Sequence, residues 1–476
     1  MVAIEPKRYP PMPLVVLALI FAELTAGFET TMVYAALKTL IQTFHNPIGV
    51  GWLITIYMLV SAAAAAICGR LGDIYGRRRM VLIVLGMAVL GSFISAFSDS
   101  LYGVIFGRGI QGMAGAVMPL CFGLARENLP EDKVSIGIGV VTATASVGAA
   151  SGLIVGGYLL DNYSWNSMFM VSGTMAVLSL IGVWLCLPAS PQRRTTQPLD
   201  LLGGLLFVPA IGGVLLAISN GQSWGWTDAR TLGTGLGGLG LMVFWVFYEL
   251  RHPSPLLDVR LLANREVALS NIAIALIAVG TMNVIQVLSL LVQQPTWTAV
   301  GLGATATVAG LLKLPSNFFG VFAATWSGWI CGKRGGRFAM IIGIGIFTSG
   351  WLLLIPFHNT IWEVMLAMIL ISVGTSTAFT AVPSIIVATA PSDRTSEATG
   401  LMTVIRSVAQ AIGAQLIVFV LATETVSDAS EGPGVFPARA AYLKAFGLIA
   451  LTGVLAAIAA MSLPRARPQP QLATAH

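Results

Sequence analysis

Apolar residues run along this chain in long unbroken blocks, without the alternation of period two that marks a half-buried strand. Each block is long enough, at about 20 residues, for a helix to cross the hydrocarbon of a bilayer. Fourteen can be marked, at about 13–38, 49–68, 80–97, 101–124, 134–159, 168–188, 200–220, 231–249, 267–291, 302–330, 338–356, 361–388, 398–422 and 441–462. The continuous apolar character disfavours a transmembrane β-barrel, and glycine is frequent inside the blocks, as expected where helices pack closely in lipid. The pattern predicts an all-α integral membrane protein. The short amino terminus, MVAIEPKRYPPMP, is followed by an apolar run with no small-residue cleavage site, so that run is expected to remain as the first span.

Composition narrows the function. Only 10% of the residues are charged and 56% are hydrophobic, against about 25% charged in soluble proteins. A soluble enzyme, a disordered chain and a nucleic-acid binder are excluded. Cys68, Cys121, Cys186 and Cys331 lie in or beside apolar blocks without a CxxC pair or a histidine cluster, which argues for buried small side chains rather than a metal or disulfide framework.

The net charge of +6 is chiefly an orientation signal. With the amino terminus inside, 19 of the 26 Lys and Arg fall on the cytoplasmic side, three (Arg230, Arg439, Lys444) fall outside, and four (Lys38, Arg108, Lys313, Arg406) lie within blocks. This asymmetry is what the positive-inside rule requires, and both termini are expected in the cytoplasm of a cell with the protein in its inner membrane.

One cytoplasmic loop carries more than orientation. It reads Gly69-Arg-Leu-Gly-Asp73-Ile-Tyr-Gly76-Arg77-Arg78-Arg79. The glycines permit a tight turn, and Asp73 sits where it can pair with an arginine or approach a helix amino terminus. The spacing points to a latch. It resembles the signature loop of the major facilitator superfamily. A degraded copy, Gly328-Trp-Ile-Cys-Gly332-Lys333-Arg334-Gly335-Gly336-Arg337, stands between blocks ten and eleven with Gly332 in place of the acid.

The resemblance extends to Phe28-Glu29-Thr30-Thr31 in block one, Arg108-Gly-Ile-Gln111-Gly112 in block four and Pro255-Leu-Leu-Asp258-Val-Arg260 before block nine. The order of these motifs is similar to that of the fourteen-helix drug:proton antiporter branch. It implies a six-helix bundle at 1–190, two inserted helices and a loop at 191–265, a second bundle at 266–464 and a short tail at 465–476. The branch's span-five motif survives as Gly148, Gly152, Gly156 and Gly157, with Leu153 where a proline is usual and Asn166 where an arginine is usual.

An ionisable residue inside a span costs roughly 2.5–3.5 kcal/mol, so each needs a reason. Glu29 occupies the family's acidic position and is the leading proton-coupling candidate, against a fixed ion pair as the plainer reading. Glu23 lies about 120° around the helix from it, where it would line the cavity or partner Arg108. Arg108 stays charged, and would hold span-one carbonyls or an acid; a structural role serves equally. Tyr34, Lys38, Asn283, Gln286, Lys313 and Arg406 are candidate cavity residues, with Gln293, Gln294 and Asn317 also considered. Cations outnumber acids within the blocks, which favours anionic, zwitterionic or neutral substrates over quaternary cations.

Two dinucleotide-like glycine patterns, beginning at Gly107 and Gly235, lie in apolar helices and are packing glycines. No phosphate-binding GxxxxGK[ST] loop occurs, so ATP is not expected to drive the protein. The resulting expectation is not an enzyme but a monomeric secondary transporter that exports small amphiphiles or drugs against protons, with no cofactor beyond the proton gradient and with membrane lipid around it. Proton-coupled transport of an organic-acid metabolite and translocation of lipid in the cell envelope remain open alternatives.

Overall fold

The computed structural model describes residues 11–45, 47–190, 200–253, 255, 259–304, 308, 311–427 and 435–464. The tail 465–476, Lys7, Arg8, Arg193, Arg194, Asp258 and the side chains of Lys38 and Gln286 lie outside the described set.

The first half is built from α1 (Met12–Phe44), α2 (Pro47–Tyr75), α3 (Arg77–Ala96), α4 (Leu101–Gln111), α5 (Val117–Asn128), α6 (Glu131–Asn162) and α7 (Asn166–Cys186). Next come α8 (Leu201–Trp224) and α9 (Ala229–Arg251). The second half holds α10 (Arg265–Val279), α11 (Val284–Gln293), α12 (Lys313–Arg334), α13 (Gly336–Leu353), α14 (Ile361–Thr389), α15 (Thr395–Ala422) and α16 (Arg439–Met461). A two-stranded hairpin, β1 (Thr425–Ser427) with β2 (Val435–Pro437), joins the last two helices, with Val426 opposite Phe436.

Among the described residues, twelve helices are long and apolar enough to cross a membrane, two fewer than the blocks predict. One is α8, whose described apolar stretch is only Leu202–Ile218. The other is α12. Block ten was expected from residue 302, but the chain turns through Ala299 and Gly303, both at positive φ, and the continuously described helix runs from Lys313, with Val308 and Leu311 before it also helical. What remains carries Lys313, Lys333 and Arg334 among its 22 residues.

Two expected spans are also broken. Block four passes through a 3-10 turn at Gly112–Ala116 between α4 and α5, where Gly112 and Gly115 pack against Val60 and Ser61 of α2. Block nine breaks at Gly280 between α10 and α11, and Gly413 of α15 meets the carbonyl of Val279 at that break.

The two copies of the loop motif adopt matching backbones. Gly76 (φ 98) and Gly335 (φ 86) each precede the next helix at an angle that side chains rarely adopt. The first copy packs on the start of α15, and Gly328 and Gly332 of the second pack near the start of α6. Helix α6 already has Glu131 and Asp132 in its first turn to complement its dipole, which accounts physically for a glycine at 332. The inserted α8 and α9 pack on each other. Phe207, Ile211 and Leu215 of α8 and Trp245 of α9 join Ala62, Ala63 and Ala66 of α2 and Val404 of α15 in one buried cluster that spans the seam between the halves. Cys68, Cys121 and Cys331 are buried, and all four cysteines are free thiols.

Candidate functional site

The halves are joined at the end that bears the Arg-rich loop, called the basic end below. Arg394 precedes helix α15 at its cap position, and its side chain supplies no cap. Asp73 of the other half replaces it. Its two carboxylate oxygens accept from the backbone N–H of Ser396 (3.3 Å) and Glu397 (2.8 Å), an anion at the positive end of a helix.

Arg77, only 7% exposed, holds that carboxylate in place. Its Nε donates to Asp73 (2.8 Å), while its other nitrogens donate to the carbonyls of Gly123 (2.9 Å) and, across the seam, Ser392 (2.8 Å). Arg70 pairs with Glu397 at 3.0 Å. Arg126 donates to the Ala390 carbonyl and the Thr395 hydroxyl. Gly69 permits this contact, because a methyl there would lie 2.5 Å from the Ser396 carbonyl oxygen. Arg78 turns away and ties the loop to Trp184 and Ser190 of its own half.

All described hydrogen bonds between the first and second halves lie at this end. Towards the opposite end of α1, Tyr34 is 40% exposed.

Within the first half, Glu29 is fully enclosed. Its Oε1 accepts from Ser172 (2.9 Å) and Ser92 (3.2 Å), and its Oε2 has no described hydrogen-bond partner. Gln111 donates to Ser92 (2.6 Å), and Arg108 donates to Gln111 (3.1 Å), to the carbonyl of Glu29 (3.0 Å) and to that of Leu53 (3.3 Å). The guanidinium also stacks over Tyr57, 4.2 Å from the ring centroid. A chain of side chains therefore joins a fixed cation to a carboxyl with which it forms no described ion pair.

Glu23 is also buried, but its nearby cation is Arg406 of the second half rather than Arg108. Lys313 is half-buried near the start of α12, and no described acid pairs with it. Asn283 lies at the break of block nine, where it donates to the carbonyls of Ala278 and Val279 and, across to α15, Gln410. Gln294 is held between the Tyr442 hydroxyl, which donates to it, and the Pro437 carbonyl, to which it donates.

Three of the four span-five glycines meet α1. A methyl at Gly148 would lie 2.7 Å from the Leu24 carbonyl oxygen, one at Gly152 would lie 2.6 Å from that of Phe28, and one at Gly156 would lie 3.3 Å from that of Met32; Gly157 faces open space. We expect Gly152→Leu to lower the thermal stability of the purified protein, with an overpacking cost of about 1–3 kcal/mol. Gly157→Ala should leave the melting temperature unchanged, and equal effects would disprove this helix contact.

Sequence reasoning overlooked Ser92, Ser172, Arg126 and Glu397 as site residues. The two serines are isolated polar groups in apolar spans. Arg126 and Glu397 read as ordinary loop charges until the halves are brought together.

Comparison with known proteins supports the same architecture. The chain is 29% identical over 380 residues to the multidrug resistance protein Stp of Mycobacterium tuberculosis, covering 79% of this chain and 69% of that one. It is 24% identical over 425 residues to the multidrug export protein EmrB of Haemophilus influenzae, covering 87% and 82%. The structure of the human organic anion transporter MFSD10 (TETRAN) superposes with a TM-score of 0.68 at 15% identity, covering 94% of this chain and 100% of that one, a likeness of fold. The family model for the Major Facilitator Superfamily matches residues 19–414. With its all-helical halves, its paired glycine turns and its sealed motif loop, this multi-pass membrane chain belongs to the Major Facilitator Superfamily of transporters.

Proposed function

We propose that the protein is a proton-coupled antiporter that exports small amphiphilic compounds by alternating access, with the basic end facing the cytoplasm of a cell whose inner membrane holds it. The observation that carries this reading is the seal itself. Every described bond between the halves lies at one end, which is the arrangement of an outward-facing state, and the relatives named above are resistance and export proteins.

Proton exchange at Glu29 is the coupling step. Its carboxyl is shut away from water and linked through Ser92 and Gln111 to Arg108, so a change in its charge changes what holds α1 to α3, α4 and α7. Arg108 remains cationic and stabilises the carboxylate once the proton leaves. No cofactor enters this cycle. We also infer that α8 and α12 cross the bilayer, completing fourteen spans, and that the protein acts as a monomer.

Transport in proteoliposomes under an imposed pH gradient tests the reading. Efflux-directed movement opposite to the proton flux is expected; substrate that moves along with protons would overturn it.

Among the described residues no acid pairs with Lys313, which favours anionic or neutral amphiphiles over quaternary cations. Lys313→Ala and Lys38→Ala should weaken transport of an anionic substrate and spare a neutral one. Equal loss for both substrates would count against this selectivity.

A further inference from the structure

Glu23 of the first half and Arg406 of the second lie within electrostatic range of each other. Glu23 lies on α1 with 3% of its surface exposed, and Arg406 lies on α15. Each is the other's nearby opposite charge, yet no described ion pair joins them. Glu23 Oε2 and Arg406 Nε are both enclosed without a protein hydrogen-bond partner. The ring of Phe379, 5.0 Å from the guanidinium carbon, backs one face of Arg406. The pair stands above the seal. Gly400, six residues before Arg406, packs on Ala65, and Thr399 reaches the Pro119 carbonyl.

Burying an acid and a base is repaid only when each finds a partner of good geometry. Here the protein leaves one valence of each unsatisfied and puts them on elements that move with different halves. We propose that Glu23 and Arg406 form a two-point binding site for zwitterionic amphiphiles, with Glu23 accepting the substrate's ammonium and Arg406 holding its carboxylate.

A cation alone satisfies Glu23 and leaves Arg406 unpaired, and an anion alone does the reverse. A molecule with both groups satisfies both, and by bridging the halves it binds preferentially the state in which they stand at this spacing. This deepens the proposed function and rests on the chain working as an alternating-access transporter of amphiphiles.

The test is calorimetric binding to the full-length protein in nanodiscs, without any gradient. The probes share one aromatic body: 2-naphthylalanine (zwitterion), its methyl ester (cation) and its N-acetyl derivative (anion). The wild type should bind the zwitterion about tenfold or more tighter than either other probe, since each added charge-assisted contact is worth about that factor. Glu23→Gln should reduce the zwitterion's affinity to that of the anion, with the anion unaffected. Arg406→Gln should reduce it to that of the ester, with the ester unaffected.

Wild-type binding of all three probes alike, or of none, overturns the proposal without reference to any variant. Equal loss of all three in each variant overturns it as well. Because no gradient is applied, a protein that keeps this ranking but moves substrate along with protons would retain the site and lose the antiport reading.

Discussion

Asp73→Asn should open the basic end of the protein. The substitution removes the charge that Arg77 neutralises and one of the two oxygens that cap α15, while keeping the side-chain volume. Removing one partner of a buried, hydrogen-bonded pair costs about 3–5 kcal/mol. Little of that cost applies to the open state, where water can solvate Arg77 and the freed N–H groups. The equilibrium between the two states therefore shifts, and about 1.4 kcal/mol of difference already changes it tenfold.

Thr399 reports the shift, since it is fully buried between the halves, with its hydroxyl 3.4 Å from the Pro119 carbonyl oxygen. In protein whose four native cysteines are replaced by serine, Thr399→Cys should react with a membrane-impermeant maleimide at least about tenfold faster when Asp73→Asn is added. Labelling from the basic side at an unchanged rate would show that the seal does not depend on Asp73.

Glu29→Gln should abolish coupling while leaving the fold intact. Glutamine has the same shape, and its carbonyl oxygen can accept from Ser92 and Ser172 as Glu29 Oε1 does. It cannot exchange a proton. The network from Arg108 through Gln111 and Ser92 then keeps one arrangement regardless of pH. In proteoliposomes, accumulation driven by a pH gradient should fall to the level seen without one, while equilibrium binding of the same compound persists. Full gradient-driven accumulation by the variant would remove Glu29 from the coupling step. Loss of binding as well would reassign it to the substrate site.

Much of this arrangement was legible along the chain, for reasons that differ from part to part. The apolar blocks mark helices because a backbone in lipid must satisfy its own hydrogen bonds. The turn at Gly76 could be anticipated from its glycine, and the duplication from Gly335. The helix breaks at Gly112 and Gly280 were hidden, because glycine is frequent throughout the blocks and only contact with α2 or α15 distinguishes these two. The turn at Ala299 and Gly303 ahead of α12 was hidden for a similar reason, since the residues around it are mostly apolar or glycine whichever way the backbone runs.

The partners of the buried charges depended on three-dimensional placement in a stronger sense. Periodicity along α1 separates Glu23 from Glu29, but a helical wheel does not say which neighbouring helix each face meets. Arg406 is 383 positions from Glu23 and shares no local pattern with it. Nor does anything near Arg394 indicate that its helix is capped by Asp73, since a cap is ordinarily supplied from within a few residues.

By itself the sequence determined that this chain is an all-helical membrane protein, how its basic residues are distributed along it, and that its two halves echo each other. Those properties follow from hydration and backbone geometry, which act locally. The tertiary structure decided which end is sealed, that Asp73 caps α15, that Glu29 is linked to Arg108 through Gln111 and Ser92, and that the charge near Glu23 is Arg406 of the other half. These are contacts between distant segments, and they are set by how the helices pack rather than by the composition of any one of them.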